Sequence, residues 1–135
     1  MELFFGDDVQ RLFSDLLNDI DCHEFTKSYL ISILTKYKSA QLDYSKDSIT
    51  LLFGNARDRR DFHLYQSLGD WLFFSSVCFP KHLKHADQSY YRDITRLSYY
   101  GCYELINRQV KIYQELADQL ILLETEVKER LKILR

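Results

Sequence analysis

The chain is poor in the residues that punctuate a fold, with 1 proline and 4 glycines among 135 residues. A sandwich or barrel of many short strands needs frequent turn residues, so this scarcity disfavours such folds and favours a few long helices. The glycines stand at 6, 54, 69 and 101, so neither GxGxxG nor GxxxxGK(S/T) can be written and the two commonest phosphate cradles are missing. Cysteine is sparse as well: Cys22, Cys78 and Cys102 are an odd number without CxxC spacing. That reads as reduced thiols in a cytoplasmic protein rather than a secreted disulfide framework. The opening stretch, Met1 to Asp8, holds three acids and no base, so no signal peptide is expected to begin there. Charge of one sign is also lacking, since 18 basic side chains face 20 acidic ones. No broad positive field can therefore gather nucleic acid or an anionic membrane. The local arginines at 57, 59, 60, 92 and 96 are interleaved with Asp58, Asp61, Asp87 and Asp93, and nucleic-acid binding is not expected of them. The densest apolar stretch, Leu68 to Phe79, is interrupted by Asp70 and falls far short of the ~20 residues of a membrane span.

Metal and cofactor motifs are missing in the same way. His23 to Lys27 reads HExxK, without the second histidine of a zincin. No glutamate has a histidine three residues later, which removes a di-iron bundle. His82 and His85 beside Cys78 form the only local grouping of soft-metal ligand types. They read as solvated residues of a basic linker next to a small core cysteine, so no metal ligand is assigned. The cysteines sit in apolar helical settings that keep a thiol inert, and no cofactor or catalytic residue is assigned.

Against these absences stands a strong helical periodicity. Val9, Leu12, Phe13, Leu16, Leu17 and Ile20 fall on one stripe, predicting a first helix capped by Asp7 or Asp8, with Leu3, Phe4 and Phe5 before the cap. A second helix is predicted from the Asp21 to Glu24 stretch through Phe25, Tyr29, Leu30, Ile33, Leu34 and Tyr37, ending near Ser39 or Ala40. Asp47 is expected to cap a short third helix through Ile49, Leu51, Leu52 and Phe53, with a buried strand as the alternative, and Asn55 to Asp61 reads as a charged corner. From Phe62 to Phe79 the apolar residues lie on more than one side, as in a central helix surrounded by others. Pro80 ends it, and Lys81 to Ala86 forms a basic linker. A fifth helix, capped by Asp87 or Ser89, carries Tyr90, Ile94, Leu97, Gly101 and Leu105 in one row and Tyr91, Tyr99, Tyr103 and Ile106 in another. Asn107 and Arg108 either interrupt it or let it run on.

In the last segment, Tyr113, Leu116, Leu120, Leu123 and Val127 are spaced 3, 4, 3 and 4, an a/d seam. Ile112, Ile121, Leu122, Leu131, Ile133 and Leu134 lie outside it. One helix over residues 109 to 134 would be about 39 Å long at ~1.5 Å per residue. The expected fold is an all-α, single-domain bundle of five or six helices with a long C-terminal helix, one domain over residues 1–135.

Asp70 interrupts Leu68, Trp71, Leu72, Phe73 and Phe74, where an ionised group is costly unless paired. Its partner is expected to be Arg92, Arg96 or a tyrosine hydroxyl of the fifth helix. Alternatively, Gly69-Asp70 forms a helix start or kink. Six of the ten tyrosines stand at 90, 91, 99, 100, 103 and 113, too many for one helical face. Each helical glycine needs a packing reason, so Gly69 and Gly101 are expected where the fourth and fifth helices cross.

Gly69-Asp70, Leu72-Phe73, Phe79-Pro80, Tyr90-Tyr91 and Tyr99 together give a GD-x-LF, FP, YY, Tyr pattern. It resembles a group of small uncharacterised bacterial helical proteins over about half of the chain. The resemblance implies a bacterial helical protein and carries no catalytic residue. The expected function is a non-catalytic protein-interaction or self-assembly module, engaging a second copy or another protein through Ile121, Leu131 and Leu134 of the C-terminal helix. The alternative is a small-ligand sensor or pocket enzyme centred on Asp70, with Trp71, Tyr91, Arg96, Tyr99 and Tyr103 lining the pocket. A cavity beside Gly69, Gly101 and the tyrosines would favour the alternative, and a flat exposed apolar face would favour the module.

Overall fold

The computed structural model describes residues 2–37, 46–84 and 86–132. They form seven α-helices and one 3-10 turn: α1 (Glu2–Leu16), α2 (Glu24–Tyr37), α3 (Lys46–Arg59), α4 (Phe62–Cys78), the turn Pro80–His82, α5 (Gln88–Leu105), α6 (Lys111–Asp118) and α7 (Leu120–Leu131). Among the described residues there is no strand. The all-α expectation holds, with more and shorter helices than predicted.

Four corrections concern the ends of α1 and α3. In α1, Asp7 and Asp8 are interior residues rather than caps, and residues 3–5 belong to the helix. Gly6 alone, at ~1 kcal/mol, does not stop it. The helix ends at Leu16, so Ile20 is buried from the following turn, while Leu12 of the predicted stripe is exposed. In α3 the helix begins at Lys46, which places Asp47 inside it instead of before it. It also continues through most of the predicted corner, because Ile49, Leu52, Phe53 and Ala56 keep one face against the core. That helical spacing settles the helix over the strand. The chain turns only at Arg60, whose φ is 52°.

Asp61 then caps α4, its carboxylate accepting the Leu64 N–H at 3.1 Å. Every residue from Leu68 to Val77 is buried, so α4 is the central helix predicted by its all-round apolarity. Its packing against α5 is reciprocal. Gly69 of α4 lies under the Tyr99 ring of α5, and Gly101 of α5 lies under the Tyr65 ring of α4; an added Cβ would meet those rings at 3.0 and 2.6 Å.

The single C-terminal helix does not form. Asn107 and Arg108 both take left-handed backbone conformations, with φ of 56° and 61°, and end α5. A second break at Gln119 (φ −106°, ψ 21°) separates α6 from α7. The bend lets one apolar seam serve two surfaces, since α6 packs on α5 and α2 while α7 packs on α4 and α5. Tyr113, Leu116, Leu120, Leu123 and Val127 are accordingly all buried within this one chain. Leu131, an expected interface residue, is 5% exposed and joins the same core. Leu134 and His85 lie outside the described residues, as do the predicted ends of α2 at Ser39 or Ala40.

The glycines give a prediction with two signs. Gly101→Ala gains helix propensity but must displace a buried ring, and the expected net loss is about 1–3 kcal/mol. Gly54→Ala in α3 meets nothing within 4 Å, and the expected gain is about 0.5–1 kcal/mol. Urea denaturation midpoints of the two variants check both, and a stabilised Gly101→Ala would contradict the reciprocal packing.

Candidate functional site

The position of Asp70 follows from α4 itself: a residue within the buried stretch Leu68 to Val77 has little access to water, so its charge must be met by protein groups. The Tyr99 hydroxyl of α5 donates to Oδ1 at 2.8 Å, and the Tyr29 hydroxyl of α2 donates across both carboxylate oxygens at 2.8 and 2.9 Å. Asp70 is 6% exposed. Desolvation pushes its carboxyl up from 3.8 to about 6, while the Tyr99 and Tyr29 hydrogen bonds and the more distant Lys36 charge pull the other way. Burial and the Asp70 charge raise both phenols above their ordinary range, so each remains a protonated donor.

Aromatic packing carries the cluster into α6. Tyr113 meets Tyr29 edge-on at 5.6 Å between centroids, stacks on Tyr99 at 6.3 Å, and accepts a 2.8 Å hydrogen bond from the Gln66 amide. Cys102 lies alongside, its thiol directed at the Phe62 carbonyl (3.8 Å) and pushed up to about 12 chiefly by burial, which keeps it unreactive.

The expected pocket residues divide. Asp70 and Tyr99 meet, and Trp71 and Tyr91 are buried core residues. Tyr103 and Arg96 serve elsewhere: the Tyr103 hydroxyl accepts from Lys111 at 2.9 Å, and Arg96 reaches the Ala117 carbonyl at 3.3 Å and Asp93 at 3.8 Å. Neither expected arginine pairs with Asp70. Arg92 instead faces the buried Glu124 of α7, Nε to Oε2 at 3.5 Å, too long for a good hydrogen bond. Burial raises the Glu124 carboxyl and Arg92 lowers it. Nor do Gly69 and Gly101 open a cavity, because Tyr99 and Tyr65 fill the space beside them. Tyr29, Gln66 and Tyr113 complete the Asp70 cluster, and no sequence motif marks them as its partners. Their one signal is that Tyr29 shares a predicted helical stripe and Tyr113 the a/d seam.

The open space lies about one helical turn from Tyr29. A groove of about 730 Å³ runs between the start of α2 and α6, with Phe25, Val110 and Ile112 as its apolar lining and His23, Glu115 and Asp118 among its polar groups. Phe25 belongs to the apolar pattern that predicts α2, yet it is 69% exposed. The reason is local: His23 accepts the Phe25 N–H on Nδ1 at 3.1 Å and starts the helix, while Thr26, not Phe25, takes the buried position. Glu115 joins the two walls by accepting the His23 N–H at 3.1 Å. Among the described residues, no group of three or more potential ligands is placed to hold a metal ion, and no helix is long and apolar enough to cross a membrane. No family model, curated protein or solved structure matches the chain.

The Asp70 cluster predicts a pH dependence. The folded protein holds the Asp70 proton more tightly than the unfolded chain does, so stability falls as pH rises from about 4 to about 6 and this contribution is level above that. A shift of about two units corresponds to ~3 kcal/mol. Asp70→Asn cannot titrate. Going from pH 7 to pH 4, wild type is therefore expected to gain about 2–2.5 kcal/mol relative to the variant in chemical denaturation; a constant difference would contradict the burial of an ionisable carboxyl.

Proposed function

We propose that this chain is a non-catalytic binding module whose working surface is the groove between α2 and α6. The carrying observation is Phe25, a large ring 69% exposed at the edge of a groove of about 730 Å³. Leaving such a ring in water forgoes ~1.5–3 kcal/mol of burial, and a volume of this order suits a small ligand. The alternative expectation, a pocket at Asp70, is less well supported, because its carboxylate is engaged by Tyr29 and Tyr99 and shielded from substrate. The expected C-terminal interface is narrower than its sequence implied, with the seam and Leu131 turned inward.

Titration with the uncharged fluorescent dye N-phenyl-1-naphthylamine tests this reading. One saturable site is expected, weakened about tenfold or more, ~1.4 kcal/mol, by Phe25→Glu. Leu51→Glu alters a comparably exposed residue, at 65%, away from the groove and is expected to leave binding unchanged. Equal affinity in all three proteins would overturn the assignment.

A second reading, self-association through α7, rests on Ile121 and Leu122, each 49% exposed. It predicts a dimer in light scattering at micromolar concentration that becomes a monomer on Ile121→Lys with Leu122→Lys. A wild-type monomer would overturn it.

A further inference from the structure

The groove has a chemical bias that emerges once the internal pairings of its side chains are followed. Among the described residues that line it, the ammonium group is that of Lys111, which is turned to Tyr103, with Nζ 2.9 Å from the hydroxyl and 5.4 Å from the ring centroid. Its two carboxylates, Glu115 and Asp118, are three residues apart on α6 and so share a face. Each has an internal donor: Glu115 takes the His23 N–H at 3.1 Å, and Asp118 takes the Tyr100 hydroxyl. Two carboxylate oxygens offer about four lone-pair directions, so both groups keep acceptor capacity beyond these bonds. The Phe25 ring lines the same groove, tilted 32° to His23 at 5.2 Å between centroids. An exposed ring face attracts a cation, and Val110 and Ile112 add apolar surface.

We infer that the α2–α6 groove takes a small organic ammonium, whose N–H groups donate to Glu115 and Asp118 and whose apolar body lies against Phe25 and Val110. This rests on the groove being the working surface and adds the class of ligand. A free small amine, rather than the lysine of a partner protein, is the occupant because the volume of about 730 Å³ lies in the small-ligand range of roughly 300–1,000 Å³. An anion is disfavoured by the same inventory, since two carboxylates face the space while the lining ammonium is held at Tyr103.

Three probes of nearly equal shape test the inference at pH 7 by calorimetry, with the contact residues mapped by NMR: 2-phenylethylamine, 2-phenylethanol and 3-phenylpropionate. The ammonium is expected to bind about tenfold tighter than the alcohol, with shifts at Phe25 and Val110 and the carboxylate binding weakest. Asp118→Asn, at an exposed position, is expected to remove most of that preference by weakening the ammonium far more than the alcohol. Glu115→Gln keeps an acceptor for the His23 N–H and is expected to do the same. Equal affinity for amine and alcohol, or tighter binding of the carboxylate, would overturn the ammonium assignment and leave the groove reading standing. Absence of binding by all three probes would overturn both.

Discussion

The fold depends on one buried charge. Asp70 lies on α4, which packs against α2, α3, α5 and α7, and burying its carboxylate without partners would cost several kcal/mol. Hydroxyls from two other helices, Tyr29 of α2 and Tyr99 of α5, meet that demand at 2.8 Å. A hydrogen bond to a charged acceptor is directional as well as favourable, so the carboxylate fixes not only how far α2 and α5 lie from α4 but where along their length they dock. Tyr113 extends the arrangement to α6 by packing on both phenols. The two walls of the groove thus refer to the same carboxylate: Tyr29 is one turn along α2 from Phe25, and Tyr113 lies on α6 beside Ile112 and Glu115.

Close packing completes what the hydrogen bonds begin. Tyr99 is held at its hydroxyl by Asp70 and along its ring by Gly69, so one side chain carries both the polar and the steric contact between α4 and α5. Tyr65 over Gly101 repeats the steric half one step away. The broken C-terminal segment follows from the same economy of contact. A straight rod would leave part of its seam in water, whereas the bend at Gln119 buries Leu116 in α6 and Leu120, Leu123 and Val127 in α7.

What could be read from the sequence was whatever depends on local pattern. The central position of α4 follows from apolar residues on all its sides, and the partnering of Gly69 and Gly101 with α5 and α4 follows from the cost of glycine in a helix. A tyrosine hydroxyl of α5 was among the partners expected for Asp70. The rest depends on contacts between distant segments. Tyr29 lies 41 residues before Asp70, and His23 lies 92 residues before Glu115; no periodicity reports either meeting. Arg92 has the charge to pair with Asp70, but α7 places Glu124 nearer to it. The breaks at Asn107, Arg108 and Gln119 carry no glycine or proline, so the a/d spacing of Tyr113 to Val127 reads equally well as one helix or two. Phe25 fits an apolar stripe on α2, and only the way His23 starts that helix turns the ring outward.

The central claim is that Asp70 is a buried carboxyl held by Tyr29 and Tyr99, and the carbon-13 resonance of its side-chain carboxyl reports on that directly. In an NMR titration of the intact protein, the Asp70 carboxyl signal is predicted to shift with a midpoint at about 6, apart from the exposed aspartates. A midpoint among those aspartates, near the ordinary value of about 3.9, would contradict the account.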